Sequence, residues 1–322
     1  MAADRHDGIR AELARARAGD RVHGAYLFEG PPGVGKRETA LWFARLLLCK
    51  GAPPEAREPC GRCHDCRLLA AREVGPDARP THPDLHWVDP DGAWIKIEAI
   101  RELRSALGLV ANEGGRRVAL IPEADRLRAE SANALLKTLE EPPPNTVLIL
   151  VSTSPELLPR TLRSRALRVR FPPWSERAIA AALEADGMSA DDAALAAQLG
   201  GASPSAARAW ADESLEFARE LRALLDESGA LPVTRVLDFA EDFRRAGEEG
   251  RGRARAFIEL QSAFAREKAA AAAKSGDPRA LERWLRAFES ASKARVELAR
   301  HNTNPQLVVE SLLLELAGPG TG

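Results

Sequence analysis

Residues 25–48 read AYLFEGPPGVGKRETALWFARLLL, and this stretch limits the fold more than any other part of the chain. A short apolar run stops at Gly30, a loop rich in glycine and proline follows, and a helical pattern continues to Leu48. Strand, glycine loop and helix in that order begin a mononucleotide-binding α/β unit. Two later runs, Val118–Ile121 and Thr146–Val151, are apolar without alternation. Strands read this way when both faces are covered, as in a parallel sheet flanked by helices. Between them, SANALLKTLEEP places Ala134, Leu135 and Leu139 at helical spacing and stops at Pro142. Leu167–Phe171 is a further strand, and the Pro172–Pro173 pair after it marks a domain boundary. The first half is therefore expected to be an α/β core built on a parallel sheet.

The glycine loop fits G-x-x-x-x-G-K over Gly30–Lys36, with Gly33 and Gly35 inside it. Backbone N–H groups of such a loop and the helix N-terminus behind it attract phosphate, and Lys36 reaches the terminal phosphates. The pattern normally continues with Ser or Thr, whose hydroxyl binds Mg²⁺. Here that position is Arg37, which offers no oxygen. The second magnesium element, an Asp at the end of a later strand, falls on Pro122 of VALIPEAD, with Glu123 in the place of a water-activating carboxylate. These two losses argue against hydrolysis and against a Mg²⁺ site. Lys36 is intact, so binding of ATP or ADP without turnover stays open beside the plainer reading that the loop survives as architecture.

Four cysteines, Cys49, Cys60, Cys63 and Cys66, make up all of the cysteine in 322 residues. A disulfide-stapled fold would scatter them, whereas C-x₂-C-x₂-C with one more thiol at the end of the preceding helix suits a closed tetrahedral Zn²⁺ site of structural type. An iron–sulfur cluster is the rival, and His64 is the substitute ligand if Cys49 points away. The proline-rich 51–59 segment becomes a loop pinned at both ends by the metal.

After Pro173 no strand pattern recurs, and alanine and leucine dominate. Gly201–Pro204, Gly229–Pro232 and Gly276–Pro278 break the helices, and Val309, Leu312, Leu313 and Leu316 share one face of the last. The expected organisation is an α/β core over 1–172 with the cysteine module at 49–66, a small helical domain over 173–212, and an all-helical domain over 213–322. A balance of 46 Lys plus Arg against 47 Asp plus Glu excludes binding of nucleic acid by bulk charge alone. No apolar run approaches the roughly 18 residues of a membrane span, and MAADRHDGIR lacks the apolar stretch of a secretory signal, which together predict a cytoplasmic chain.

The order HGAYLFEGPPGVGK, LLLC…CGRCHDC, HPDLHWV, SANALLKTLEEPPPNT and LLPRTLRSRA resembles the clamp-loader subunits of bacterial DNA polymerase III, the delta-prime type in particular. The resemblance covers most of residues 20–172 and returns weakly at HNTNPQLVVESLLLEL. It implies an AAA+ core, a helical lid and an all-α collar that joins five subunits, tau/gamma and delta among them, into a ring placing the sliding clamp on primed DNA. It also implies a subunit of the DNA-directed DNA polymerase III holoenzyme without intrinsic ATPase. Damaged magnesium positions favour delta-prime over the tau/gamma ATPase, and no polymerase-binding extension is expected after the collar-like region. A tau/gamma-like ATPase is the alternative, and a stand-alone zinc-containing DNA-binding module is disfavoured by the neutral charge and the missing groove-reading motif.

Ser164-Arg165-Ala166 is similar to the family's Ser-Arg-Cys, which implies that Arg165 serves as an arginine finger in the neighbouring subunit's ATP site. The plainer reading is that Arg160, Arg163, Arg165, Arg168 and Arg170 solvate an edge. Thr153 or Ser154 matches the first sensor position, read as vestigial, and the second sensor falls on Ser205 with Arg208 one turn away. Arg101 and Arg104 either meet DNA phosphates or form salt bridges, Arg101 with Glu98. His82 and His86 are expected to flank a strand as packing or turn residues, and the tryptophans to be core or interface anchors.

Overall fold

A computed structural model of the chain describes residues 6–70, 81–108, 115–200, 203–213, 215–227, 232–241, 243–244, 248–300 and 303–317. The chain divides into two compact units, Met1–Trp174 and Ser175–Gly322. The boundary falls just past the Pro172–Pro173 pair.

The first unit follows the order α1 (Asp7–Ala18), β1 (Ala25–Glu29), α2 (Lys36–Leu48), α3 (His64–Ala70), β2 (Leu85–Trp87), α4 (Ile97–Gly108), β3 (Arg117–Ile121), α5 (Ala129–Glu140), β4 (Thr146–Ser152), α6 (Arg160–Arg163) and β5 (Leu167–Arg170). All five strands are parallel, in the order β2-β3-β4-β1-β5. Tyr26 and Phe28 of β1 pack on one face with Phe43 and Leu46 of α2 and with Leu120, Ile149 and Val151. Leu27 faces the other way, among Ile100 and Leu103 of α4, Leu135 of α5 and Leu162 of α6. Burial on both faces is the physical reason that β1, β3 and β4 read as unbroken apolar runs. It also fixes register, because a one-residue slip would exchange the two faces.

Sequence reading placed His82 and His86 on either side of a strand, but His86 lies within β2. Trp42 is buried, and Trp87 and Trp174 pack partly buried against the sheet. Trp94 is 45% exposed, beneath the Arg128 guanidinium, and so is not a core residue.

Parallel strands deliver their C-terminal ends to one side of the sheet. There β1 ends between β5 on one flank and β4 on the other, on the side where open α/β sheets hold ligands. The glycine loop after Glu29, the turn after Ile121 and the segment after Ser152 all leave from this side.

The second unit is helical, without a strand among its described residues. It contains α7 (Glu176–Ala185), α8 (Ala190–Gly200), α9 (Pro204–Glu213), α10 (Leu215–Asp226), α11 (Val233–Glu241), α12 (Glu248–Ser275), α13 (Pro278–Arg300) and α14 (Pro305–Ala317). The expected breakers lie at helix ends, although Gly201, Ala202 and 228–231 fall outside the described residues. At the α12–α13 turn Gly276 takes φ +71°, and the Asp277 carboxylate accepts the N–H groups of Arg279 and Ala280 at 3.0 and 3.1 Å. The anticipated face of α14, Val309, Leu312, Leu313 and Leu316, is buried in the helical core with Phe257 and Phe264 of α12. No described helix is long and apolar enough to cross a membrane.

Candidate functional site

The glycine loop is shaped by contacts that only glycine allows. A Cβ at Gly30 would stand 2.3 Å from the Phe171 carbonyl oxygen, and Gly35 turns into α2 at φ +96°. Lys36 is 5% exposed, and its ammonium donates to the carbonyls of Gly30, at 2.7 Å, and Pro31. Burial pushes its pKa down to about 8 against the opposing charges of Asp125 and Glu38. The expected magnesium positions supply no oxygen. Arg37 lies with its guanidinium 5.1 Å from the Trp87 ring centroid, and the nearby Thr39 hydroxyl is spent on the Gly35 carbonyl at 2.7 Å. Glu123 pairs with Arg126 at 2.7 Å.

Two residues at this site escaped sequence reading. Asp125 accepts the Thr153 N–H at 3.1 Å and its hydroxyl at 3.3 Å, and its charge, with that of Glu38 and not of Glu123, acts on Lys36. Of the two residues offered for the first sensor position, Thr153 contacts Asp125, whereas the Ser154 N–H bonds to the Ser152 hydroxyl. The short turn Ala124–Arg126 after Pro122 places Asp125 there, and motif counting stopped two residues earlier. His6 is 2% exposed, with Nε2 2.5 Å from the Val34 carbonyl and its ring edge-on to Phe171.

The four cysteine sulfurs lie within 4.8 Å of one another, with Cys49–Cys63 at 3.8 Å and Cys60–Cys66 at 4.0 Å. A tetrahedral zinc with Zn–S bonds of about 2.3 Å needs sulfurs roughly 3.8 Å apart, so the donor set fits such an ion. Backbone N–H groups of Cys60, Cys63 and Cys66 point at the sulfurs of Cys49, Cys60 and Cys63 at 3.3–3.4 Å. N–H groups of Arg62 and Cys63 draw the Cys60 thiol down to about 6, whereas burial pushes Cys49 and Cys66 up. His64 is exposed, and the four-sulfur set is complete without it.

Supports around the sulfurs were not legible in the cysteine spacing. The Arg17 guanidinium donates to the carbonyls of Pro53, Pro54, Cys49 and Ala52, holding the proline-rich loop from α1. Gly51 is required by close approach, since a Cβ there would meet the Cys60 sulfur at 2.8 Å. Asp65 is buried beside Cys63. His82 accepts the Asp84 N–H on Nδ1, so its Nε2 carries the proton and donates to Asp65 at 3.3 Å. Burial raises the Asp65 pKa, but the His82 hydrogen bond and the Lys50 charge outweigh it and leave the carboxyl below its ordinary value.

Arg165 follows α6 and is about a third exposed. Its Nη1 donates to the Thr161 carbonyl at 2.9 Å and its Nη2 meets Glu140 at 2.6 Å. The Ser164 hydroxyl donates to the same Thr161 carbonyl at 3.0 Å. Arg168 and Arg170 clasp the buried Glu29 at 2.9–3.1 Å and so tie edge strand β5 to the strand carrying the glycine loop. They do more than solvate an edge.

Arg101 and Arg104 of α4 line a cleft of about 400 Å³ with Lys137, Thr138, Glu141 and Pro143. The anticipated Arg101–Glu98 bridge does not form. Among the described residues Arg101, Arg104 and Lys137 make no ion pair, so the cleft carries cations free to meet an anion. In the helical unit, Arg208 pairs with Asp186, and the Ser205 hydroxyl lies 3.3 Å from that of Ser203.

Residues 6–175 match the family described as DNA polymerase III, delta subunit. The chain is similar to the DNA polymerase III subunit delta' of Pseudomonas aeruginosa, 41% identical over 150 residues that make up 46% of this chain and 43% of the relative. It is also similar to that of Escherichia coli, 36% identical over 200 residues, 61% of this chain and 57% of the relative. The gamma/tau subunit of Mycobacterium tuberculosis is 34% identical over 236 residues, 71% of this chain and 39% of the relative. The matches thus span about half the length of these curated relatives. A gamma-subunit-related protein of Thermotoga maritima shares the fold at TM-score 0.51 and 19% identity, over 96% of this chain and 98% of that one.

Proposed function

This chain belongs to the delta-prime family of DNA polymerase III clamp-loader subunits, and from that footing we propose that it is a non-hydrolysing member of the loader ring in the cytoplasm. Its partners are tau/gamma-type and delta-type subunits in a five-membered ring, a sliding clamp and primed DNA. The observation that carries this reading is the phosphate loop, which keeps a buried Lys36 but has Arg37 stacked on Trp87 and Pro122 where metal-binding oxygens belong. Phosphoryl transfer needs a metal ion bridging the phosphates, so the loop suits retention of ATP or ADP more than turnover.

Catalysis then passes to Arg165, acting in trans. A guanidinium aimed at a neighbour's γ-phosphate stabilises charge that develops during transfer, an effect worth about 10³–10⁵ in rate. Ser164 supports this residue by capping the turn that precedes it. Cys49, Cys60, Cys63 and Cys66 hold a structural zinc, which closes the 49–66 loop and performs no chemistry. The unpaired Arg101, Arg104 and Lys137 suit phosphates of the DNA backbone, where cations position the duplex without reading sequence. Residues 173–212 serve as the lid and 213–322 as the collar.

The alternative, a tau/gamma-like ATPase, draws on the identity to gamma/tau subunits and on Asp125 as a displaced carboxylate near Lys36. ATPase assay of the purified chain, paired with titration of a labelled ATP analogue, separates the two. Binding or no binding without turnover fits the proposal; sustained turnover by the isolated chain would refute it.

A further inference from the structure

Glu140 is the last residue of α5, followed by Glu141 at the cap and three prolines. A carboxylate in the last helical turn faces the negative end of the helix dipole and is locally unfavourable. Here one unfavourable charge is answered from elsewhere in the chain, by the Arg165 guanidinium at 2.6 Å. A second fixed point is the Thr161 carbonyl, 2.9 Å from Nη1. An arginine offers five N–H donors in one rigid plane. The two contacts use one donor on each terminal nitrogen, which fixes the plane and leaves three donors for an incoming anion. The residue remains about a third exposed, so the grip does not bury it.

We propose that Glu140 is a positioning residue for Arg165, orienting the guanidinium for contact with a neighbouring subunit's ATP. This rests on the reading of Arg165 as an arginine acting in trans. A flexible arginine without Glu140 would sample many rotamers and spend less time in the productive one, and small misplacements are costly to rate. Glu140 touches no substrate; it acts only through Arg165.

The test is steady-state ATP hydrolysis by the full ring, assembled with its ATPase partners and stimulated by primed DNA and clamp. Glu140→Ala is expected to lower kcat about tenfold while KM for ATP changes by less than about twofold. Glu140→Gln keeps an oxygen acceptor in place and is expected to recover part of the rate, which also guards against a variant that fails to fold. Adding Glu140→Ala to Arg165→Ala should cause no further loss, because the two act as one unit. A rate at or above wild type in Glu140→Ala, or additive losses in the double variant, would overturn the positioning role while leaving Arg165 in trans intact. Arg165→Ala at the wild-type rate would instead remove the reading beneath it.

Discussion

Replacing Arg17 with alanine tests how the cysteine module is held. One guanidinium spans four carbonyls at 2.8, 3.1, 3.1 and 3.3 Å, two of them in the exposed part of the loop. Buried hydrogen bonds from a charged donor contribute about 1.5–3 kcal/mol each, and solvent exposure removes most of that at the outer pair. The longest contact adds little, so the set is worth about 2 kcal/mol. Cys49 and Ala52 are themselves acceptors, so this stabilisation is released where the sulfurs must converge. If ordering the loop is part of binding the ion, 2 kcal/mol appears as about a 30-fold weaker zinc affinity. Competition with a chromophoric chelator reads that shift, and hydrogen exchange locates the loosening to 51–59. Arg17→Lys, with a point charge unable to span four acceptors, should fall between. Zinc affinity in Arg17→Ala within about twofold of wild type would refute the reasoning.

The Glu29 clasp predicts a non-additive pair. Arg168→Ala or Arg170→Ala alone leaves one partner and should cost about 1 kcal/mol, whereas the double variant leaves a buried carboxylate unpaired and should cost about 3 kcal/mol or more by denaturant unfolding. Gly30→Ala drives a Cβ into the Phe171 carbonyl and should lower stability by at least about 2 kcal/mol in the same measurement. Lys36 loses its proton near pH 8 when folded and near about 10.4 when unfolded, so the unfolded chain holds more protons between those values. Its contribution to stability therefore rises with pH in that window, while its attraction for phosphate falls. A labelled ATP analogue should accordingly bind more weakly at pH 9 than at pH 7, and a pH-independent affinity would place the phosphates away from Lys36.

What the sequence made legible were features carried by neighbours in the chain. The β1–loop–α2 unit follows from one apolar run, three glycines and a helical period. The cysteine set follows from compressed spacing, and the sheet class from runs that fail to alternate. Residues that complete the sites were not legible, because their partners are remote along the chain and periodicity says nothing about them. Arg17 meets carbonyls more than 30 residues away, and Arg168 reaches Glu29 across 139 positions. Asp125 was passed over because a motif fixes positions relative to a strand, whereas the short turn after Pro122 decides which carboxylate approaches the loop. Arg101 illustrates the converse: helical spacing from Glu98 suggested a bridge, and the folded side chain lines a cleft instead.

The central claim is that this chain catalyses for a neighbour and not for itself. Single-turnover ATP hydrolysis by the assembled ring, with Arg165 replaced by alanine in this subunit alone, tests it most directly. The expected result is loss of one site's turnover by a factor of about 10³ or more, with ATP still bound and the ring intact by mass. Hydrolysis at the wild-type rate from every site of the Arg165→Ala ring would contradict it.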